Sequence, residues 1–355
     1  MVVVASLALY FGTYAASAWC LTRSRKKYKH KIDLLFIIAV LLPVLLAALR
    51  FNVGTDFENY AKIYEANSKL SFINWFKESR SLDGTRIGVW LISRIAGVFH
   101  SQVLFFGIAA FLIYFPIAYS FKKNCDANII FVLSFAFLLG PFSTGLNTIK
   151  QAIAISVLFL GYKYIYKRSF IKYFIVVLAA MCFHVTAAVG IIPYFICNIN
   201  FLRANSKNII IWLAILLIGA VGILILYKVG GRFAGYFDYS GQINNRTFFI
   251  FLCWLIVFIF FKNKYIQADK RNLLLINTFL IGVLLSLTGF ISPYIKRIAS
   301  YYTFVDFLLI AQLPSLSGKN SKWVKALVLL YFIGMFILSY VILGQADLIP
   351  YHFIR

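Results

Sequence analysis

RSRKKYKHKIDLLFIIAVLLPVLLAALRFNVGTDFENY, residues 23–60, holds three different kinds of chain in succession. Residues 23–31 carry six Lys/Arg and no acid. Residues 32–49 are an apolar run close to the ~20 residues that cross a bilayer as a helix. VGTDFENY, 53–60, is then polar and contains Asp56 and Glu58. Basic residues are enriched in cytoplasmic loops, so 23–31 is expected inside, the N-terminus outside, and the segment from residue 50 on the outer side.

The rest of the chain repeats this pattern. Hydrophobic residues make up 62% of 355, more than the interior of a soluble domain of this length can hold. The clearest apolar runs are 2–21, 32–49, 103–121, 209–229, 273–289 and 324–344. They predict an all-α polytopic integral membrane protein with about 10–12 transmembrane or re-entrant helices, in a single membrane-embedded domain over 1–355. The runs are continuous rather than alternating, which excludes a transmembrane β-barrel. The formal charge of +24 is dispersed in short clusters between apolar runs, the pattern of membrane topology and not of a nucleic-acid surface. Five scattered cysteines fit neither a disulfide framework nor a zinc site. Without a basic region ahead of it, 2–21 reads as a retained span.

Further basic clusters at 122–123, 162–172, 203–207, 262–271 and 319–325 also belong inside. They can all be cytoplasmic only if two segments do not cross once in the ordinary way. Residues 86–99 are too short and carry Arg86 and Arg94, so they are expected to be interfacial or re-entrant. Residues 170–197 are expected to form two short helices with His184 near an outer apex. The outward regions are then 50–85, 141–150, the apex near 184, 230–247, 290–298 and the C-terminal tail. Five of the eleven acids, Asp56, Glu58, Glu65, Glu78 and Asp83, fall in 50–85. Prolines 43, 141, 193, 293, 314 and 350 are expected at helix ends or breaks.

Four outward sets could carry chemistry, and each also has a structural reading. Asp56 can be a base, or cap a helix through ENYAKIYEA. Lys150 and Gln151, in GLNTIKQAIA (145–154), can contact an anion beside a helix N-terminus, or Lys150 can simply snorkel. His184, in AMCFHVTAA (180–188), can transfer a proton or pack as a hydrogen-bonded core residue. Arg232 and Arg246, with Lys296, Arg297 and Tyr301, can bind phosphate and sugar, or form an interfacial belt. Arg86 adds a cation beside the first outward loop. No GxxxxGK[ST], HExxH, GxSxG or DxD pattern occurs, which argues against cytosolic nucleotide chemistry and a metal-dependent sugar-nucleotide transferase.

VGTDFENY after the second apolar run resembles the (V/I)GTDY-type segment of the EpsG family of Wzy-like polysaccharide polymerases. Residues 147–195, from NTIKQAIA to IIPYF, resemble that family's central signature, and RIASYY (297–302) and IPYHFIR (349–355) its later segments. Lys150 stands where the family pattern has arginine, keeping the charge but losing the bidentate fork. The resemblance implies a Wzy/GT-C-like multi-pass protein of the bacterial cytoplasmic membrane. Such a protein polymerises undecaprenyl-diphosphate-linked repeat units on the outer face, without metal or cofactor. Asp56 and His184 would be the candidate bases, and Lys150, Gln151, Arg86, Arg232, Arg246, Arg297 and Tyr301 would bind the diphosphate or sugar. Membrane lipid, a chain-length regulator and a flippase are the partners it implies. The competing classes are a lipid-linked oligosaccharide flippase and an O-antigen ligase. The late outer stretches are short, which ranks the ligase below the polymerase.

Overall fold

The computed structural model describes residues 2–27, 31–78, 86–197, 199, 245–290 and 296–354. In chain order the helices are α1 (Val2–Lys27), α2 (Leu34–Ala48), α3 (Phe57–Ser68), α4 (Phe72–Glu78), α5 (Ile87–Val98), α6 (Gln102–Asn124) and α7 (Ala127–Gly145). They continue as α8 (Ile149–Tyr166), α9 (Phe170–Met181), α10 (Val185–Ile196), α11 (Arg246–Phe260), α12 (Lys262–Ala268), α13 (Asn272–Phe290) and α14 (Gly318–Ile342), with short helical turns between the last two. Among the described residues the only extended pairing is an isolated bridge between Arg50 and Phe353.

The chain is an all-α polytopic membrane protein. Among the described residues five helices, α1, α6, α7, α13 and α14, are long and apolar enough to cross a bilayer. Helices α11 and α12, bent by 66°, make a sixth span if they are taken as one broken crossing. Four apolar helices are shorter: α2, α5, α9 and α10. The twelve residues of α5 reach only about 18 Å, too little to span. Residues 170–197 are two short helices, α9 and α10, with His184 at the break between them. The predicted run 209–229 lies outside the described residues.

Local chemistry explains where several helices start. Asp33 caps α2 by accepting from the Phe36 N–H at 2.8 Å, Ser101 caps α6 through Leu104 N–H, and Asp126 caps α7 through Asn128 N–H. Pro43 departs from expectation, because it lies inside α2 rather than at its end. The surrounding packing tolerates the hydrogen bond its missing N–H removes. Pro141 sits in a widened turn at Leu138–Phe142, part of α7, where the regular ladder is already interrupted.

The helices pack as two compact units, residues 1–164, 171–188 and 310–355 forming unit 1 and residues 165–170 and 189–309 forming unit 2. In unit 1, α2 packs against α1 and α6, and α7 against α1. Their polar groups pair within the apolar interior. Tyr114 exchanges hydrogen bonds with Ser17 at 3.0 Å and Ser134 at 2.6 Å, and Ser17 donates to the Ala39 carbonyl. An unpaired hydroxyl there would have no water to turn to. One end of unit 1 is closed by the Asp33–Lys122 ion pair at 3.4 Å, to which Ser24 is bonded, with Arg25 donating to the Cys125 carbonyl close by. In unit 2, α13 packs on α11. Tyr265 donates to the Leu309 carbonyl at 2.7 Å, and the buried Asn277 amide bonds the carbonyls of Ile196 and Ile199.

Candidate active site

The other end of unit 1 gathers three segments far apart in sequence: the loop 49–56, the bend 146–148 between α7 and α8, and the C-terminal tail 344–354. All three begin where an apolar helix stops and its last carbonyls need donors. The tail crosses the loop as an extended strap, giving one donor to the Leu49 carbonyl and otherwise accepting from the loop. Phe51 N–H donates to the His352 carbonyl at 2.8 Å, and Ile354 N–H to the Leu49 carbonyl at 2.9 Å. Gly54 N–H donates to Asp347, and Thr55 N–H to Ala346.

Asn147 is the knot between these segments. Its amide nitrogen donates to the Ala346 carbonyl at 3.1 Å, and its side-chain oxygen accepts from Thr55 Oγ1 and Asp56 N–H, both at 3.4 Å. Gly54 is required beneath it. The backbone there has φ +103°, and an added Cβ would lie 2.5 Å from the Asn147 oxygen.

Arg50 anchors the same cluster. It is 2% exposed, donates from Nη2 to the Leu146 carbonyl at 2.9 Å, and lies over the rings of Phe106 and Phe57. Its Nε and Nη1 have no acceptor among the described residues. Burial lowers its pKa to about 10, so it remains a cation at neutral pH.

Asp56 stands at the N-cap position of α3 but does not cap it. No backbone N–H of the helix reaches its carboxylate, which instead accepts from Asn59 Nδ2 at 3.4 Å. The capping role the sequence allowed is not realised. Lys150, in the first turn of α8, is half-buried, and its backbone N–H donates to the Tyr60 hydroxyl. Burial lowers its ammonium pKa, the Asp56 carboxylate opposes that shift, and Arg86 reinforces it. Asp56, Lys150 and Arg86 therefore share one electrostatic neighbourhood, yet Asp56 and Lys150 form no salt bridge. Gln151 is buried in the same turn.

Arg86 precedes α5, and Gly88 in its first turn donates to the Cys182 carbonyl at 2.9 Å while lying against the Phe183 ring. This joins the start of α5 to the turn that carries His184, whose Nδ1 is paired with the Thr186 hydroxyl. Five predicted site residues, Asp56, Lys150, Gln151, Arg86 and His184, thus belong to unit 1.

Arg246, Arg297 and Tyr301 belong to unit 2, and Arg232 lies outside the described residues. Arg246 opens α11 and Arg297 opens a short turn, both exposed. Lys296 precedes Arg297, and its Nζ meets Asn245 Oδ1 at 3.3 Å and Thr247 Oγ1 at 3.4 Å on either side of Arg246, with its pKa lowered by burial. Tyr301 is 2% exposed, so its ring is packed inside unit 2.

Arg50, Asn147 and the tail turn were not singled out from sequence as site residues. Arg50 ending an apolar run directly before a Gly-Thr-Asp loop was the available signal, as was Asn147 just ahead of a helix.

With this geometry in place, comparison with known proteins gives one match. The family model described as "EpsG family" matches residues 33–353. No curated protein and no solved structure matches the chain.

Proposed function

The chain belongs to the EpsG family, a family of polysaccharide-polymerising, glycosyltransferase-like membrane proteins, and from that premise we propose that it joins lipid-diphosphate-linked oligosaccharide repeat units at the outer face of the bacterial cytoplasmic membrane. The observation that carries this reading is the convergence of 50–56, 146–151 and 344–354 at one end of unit 1. Charge patterning assigns each of these segments outward on its own. The basic segments assigned inward, 23–31 and 122–123, meet at the Asp33–Lys122 cluster.

The reaction forms a glycosidic bond from an acceptor sugar hydroxyl to the anomeric carbon of the donor. The bond from that carbon to the diphosphate oxygen breaks, and the diphosphate departs on its lipid. Two demands follow: somewhere for the hydroxyl proton to go, and cations for the charge that develops on the leaving group. Asp56, uncommitted to capping, accepts the proton. Lys150 and Arg86 stabilise the departing diphosphate, at the positive end of the α8 dipole. His184, paired with Thr186, is the second candidate base. Arg246, Lys296 and Arg297 are a separate cationic cluster suited to an anionic headgroup.

Deletion of the gene followed by electrophoresis of surface polysaccharide tests the reading. Glycan limited to a single repeat unit is expected. Total loss of surface glycan indicates a flippase instead, and full-length glycan retained on its lipid carrier indicates a ligase.

A further inference from the structure

The tail does two separable things. Residues 348–354 dock it: Tyr351 donates from its hydroxyl to the Leu46 carbonyl at 2.6 Å and from its N–H to Ser6 Oγ at 2.9 Å, while Tyr10 donates to the Leu348 carbonyl. With Phe51 and Ile354 also bonded across the strap, these contacts suffice to hold the C-terminus against α1 and α2.

Residues 344–347 bond to a different part of the molecule. Their bonds go to Gly54, Thr55 and Asn147, the residues that lead into Asp56. Making those bonds requires unusual backbone. Gly344, Ala346 and Asp347 all have positive φ, at 57°, 65° and 44°, facing Asn52 at 50° and Gly54 at 103°. Positive φ is unfavourable for residues with a Cβ and is held only where the surroundings impose it. Here it turns the Ala346 and Asp347 carbonyls onto the loop. The Ala346 carbonyl receives both Thr55 N–H and the Asn147 amide, and that amide's oxygen in turn holds Asp56 N–H.

We propose that the 344–347 turn and Asn147 are positioning elements for Asp56. They fix the backbone of the loop so that the carboxylate stands toward the Lys150 end of α8 without bonding to it. Neither element touches the substrate. The inference rests on the polymerase reading above.

The test uses the purified full-length chain in detergent, with lipid-linked repeat units extracted from the deletion strain as substrate. Joining of units is followed by gel at several substrate concentrations. Ala346→Val places a β-branched residue in left-handed backbone on an exposed-edge turn, and Asn147→Leu removes the bonds to both sides. Each is expected to lower kcat by about 10²-fold, the scale of a displacement near 1 Å, with KM changed less than about threefold. Ala346→Gly, which adopts positive φ freely, restores wild-type turnover.

Wild-type kcat in both variants overturns the proposal. So does a rise in KM at unchanged kcat, which makes the turn a direct substrate contact. If Asn147→Leu does not accumulate in the membrane, Ala346→Val with its Gly rescue decides alone, and loss of activity in Ala346→Gly equal to that in Ala346→Val counts against positioning. An inactive wild-type chain in this assay contradicts the polymerase reading, and is thereby distinguished from failure of the positioning claim.

Discussion

The two ends of unit 1 each bring an aspartate near a lysine, and they treat the pair in opposite ways. At one end Asp33 and Lys122 are 3.4 Å apart, with Lys122 only 3% exposed, and Ser24 and the Phe36 N–H bond the same carboxylate oxygen that faces Lys122. At the other, Asp56 and Lys150 feel one another but do not pair, although the backbone around them is tied down by the tail and Asn147. A buried ion pair in direct contact is a structural element, and removing one partner strands the other. A carboxylate and an ammonium held near each other but unpaired can receive a substrate. The same two residue types thus lock one end of the bundle and stand unpaired at the other, as the proposed chemistry requires.

The largest expected effect comes from Asp56→Asn. Because Asp56 makes no cap bond, Asn costs the helix nothing, and thermal unfolding in detergent is expected to match the wild type. The rate of joining repeat units is expected to fall about 10²–10⁴-fold, the usual contribution of a general base. If the rate holds while His184→Ala fails, the base is His184, and the comparison of the two ends loses its catalytic half.

Lys122→Met breaks the other end. Stranding Asp33 is expected to cost about 3 kcal/mol, the low end for a buried pair because Asp33 keeps some solvent, and unfolding in detergent measures it. The joining rate of the protein that remains folded is expected to be unchanged. Burial pushes the Asp33 carboxyl up, but Ser24, the Phe36 N–H and Lys122 outweigh that and hold it below the ordinary carboxylate range. A carboxyl depressed in the folded state stabilises above its unfolded pKa, so this contribution is present at neutral pH and lost as pH falls below about 4. In Lys122→Met the acid sensitivity is expected to weaken.

Lys150→Arg should have the smallest catalytic effect. It keeps the charge and adds a bidentate fork, so activity within about tenfold of wild type is expected, whereas Lys150→Gln should lose far more. Equal losses in the two would mean that the amine itself, and not its charge, is what the site needs. The assignment of ends to sides is checked by cysteines placed at the exposed positions Gln345 and Lys319, in a chain freed of its own cysteines. Gln345→Cys is expected to react with an impermeant reagent on intact cells and Lys319→Cys is not.

Much of the fold was legible because spans are local. The runs 2–21, 32–49, 103–121, 273–289 and 324–344 reappear as α1, α2, α6, α13 and α14, each recognisable from its own residues. Helix α7 was not among the clearest runs, since Gly140, Pro141 and Ser143 interrupt its apolar pattern, and the widened turn that accommodates them is not written locally. The candidate site was legible in part. Asp56 and Lys150, both expected on the outer side, and Arg86, expected in the interfacial segment 86–99, share one electrostatic neighbourhood. What the sequence did not disclose is how that neighbourhood is held. The bonds of Asn147 to Ala346 and of Gly54 to Asp347 join residues nearly 200 and 300 positions apart, and no periodicity or spacing records such a pairing. Arg50, which no motif singles out, is buried under Phe57 and Phe106 because the loop folds back over it.

The central claim is that this chain joins repeat units and does not merely move them. Reconstitution of the purified protein into liposomes carrying lipid-linked repeat units from the deletion strain tests it most directly. A ladder of oligomers on the lipid carrier, with release of free lipid diphosphate, is the result expected. Units that stay single while exchanging between leaflets would contradict the account and make the chain a transporter.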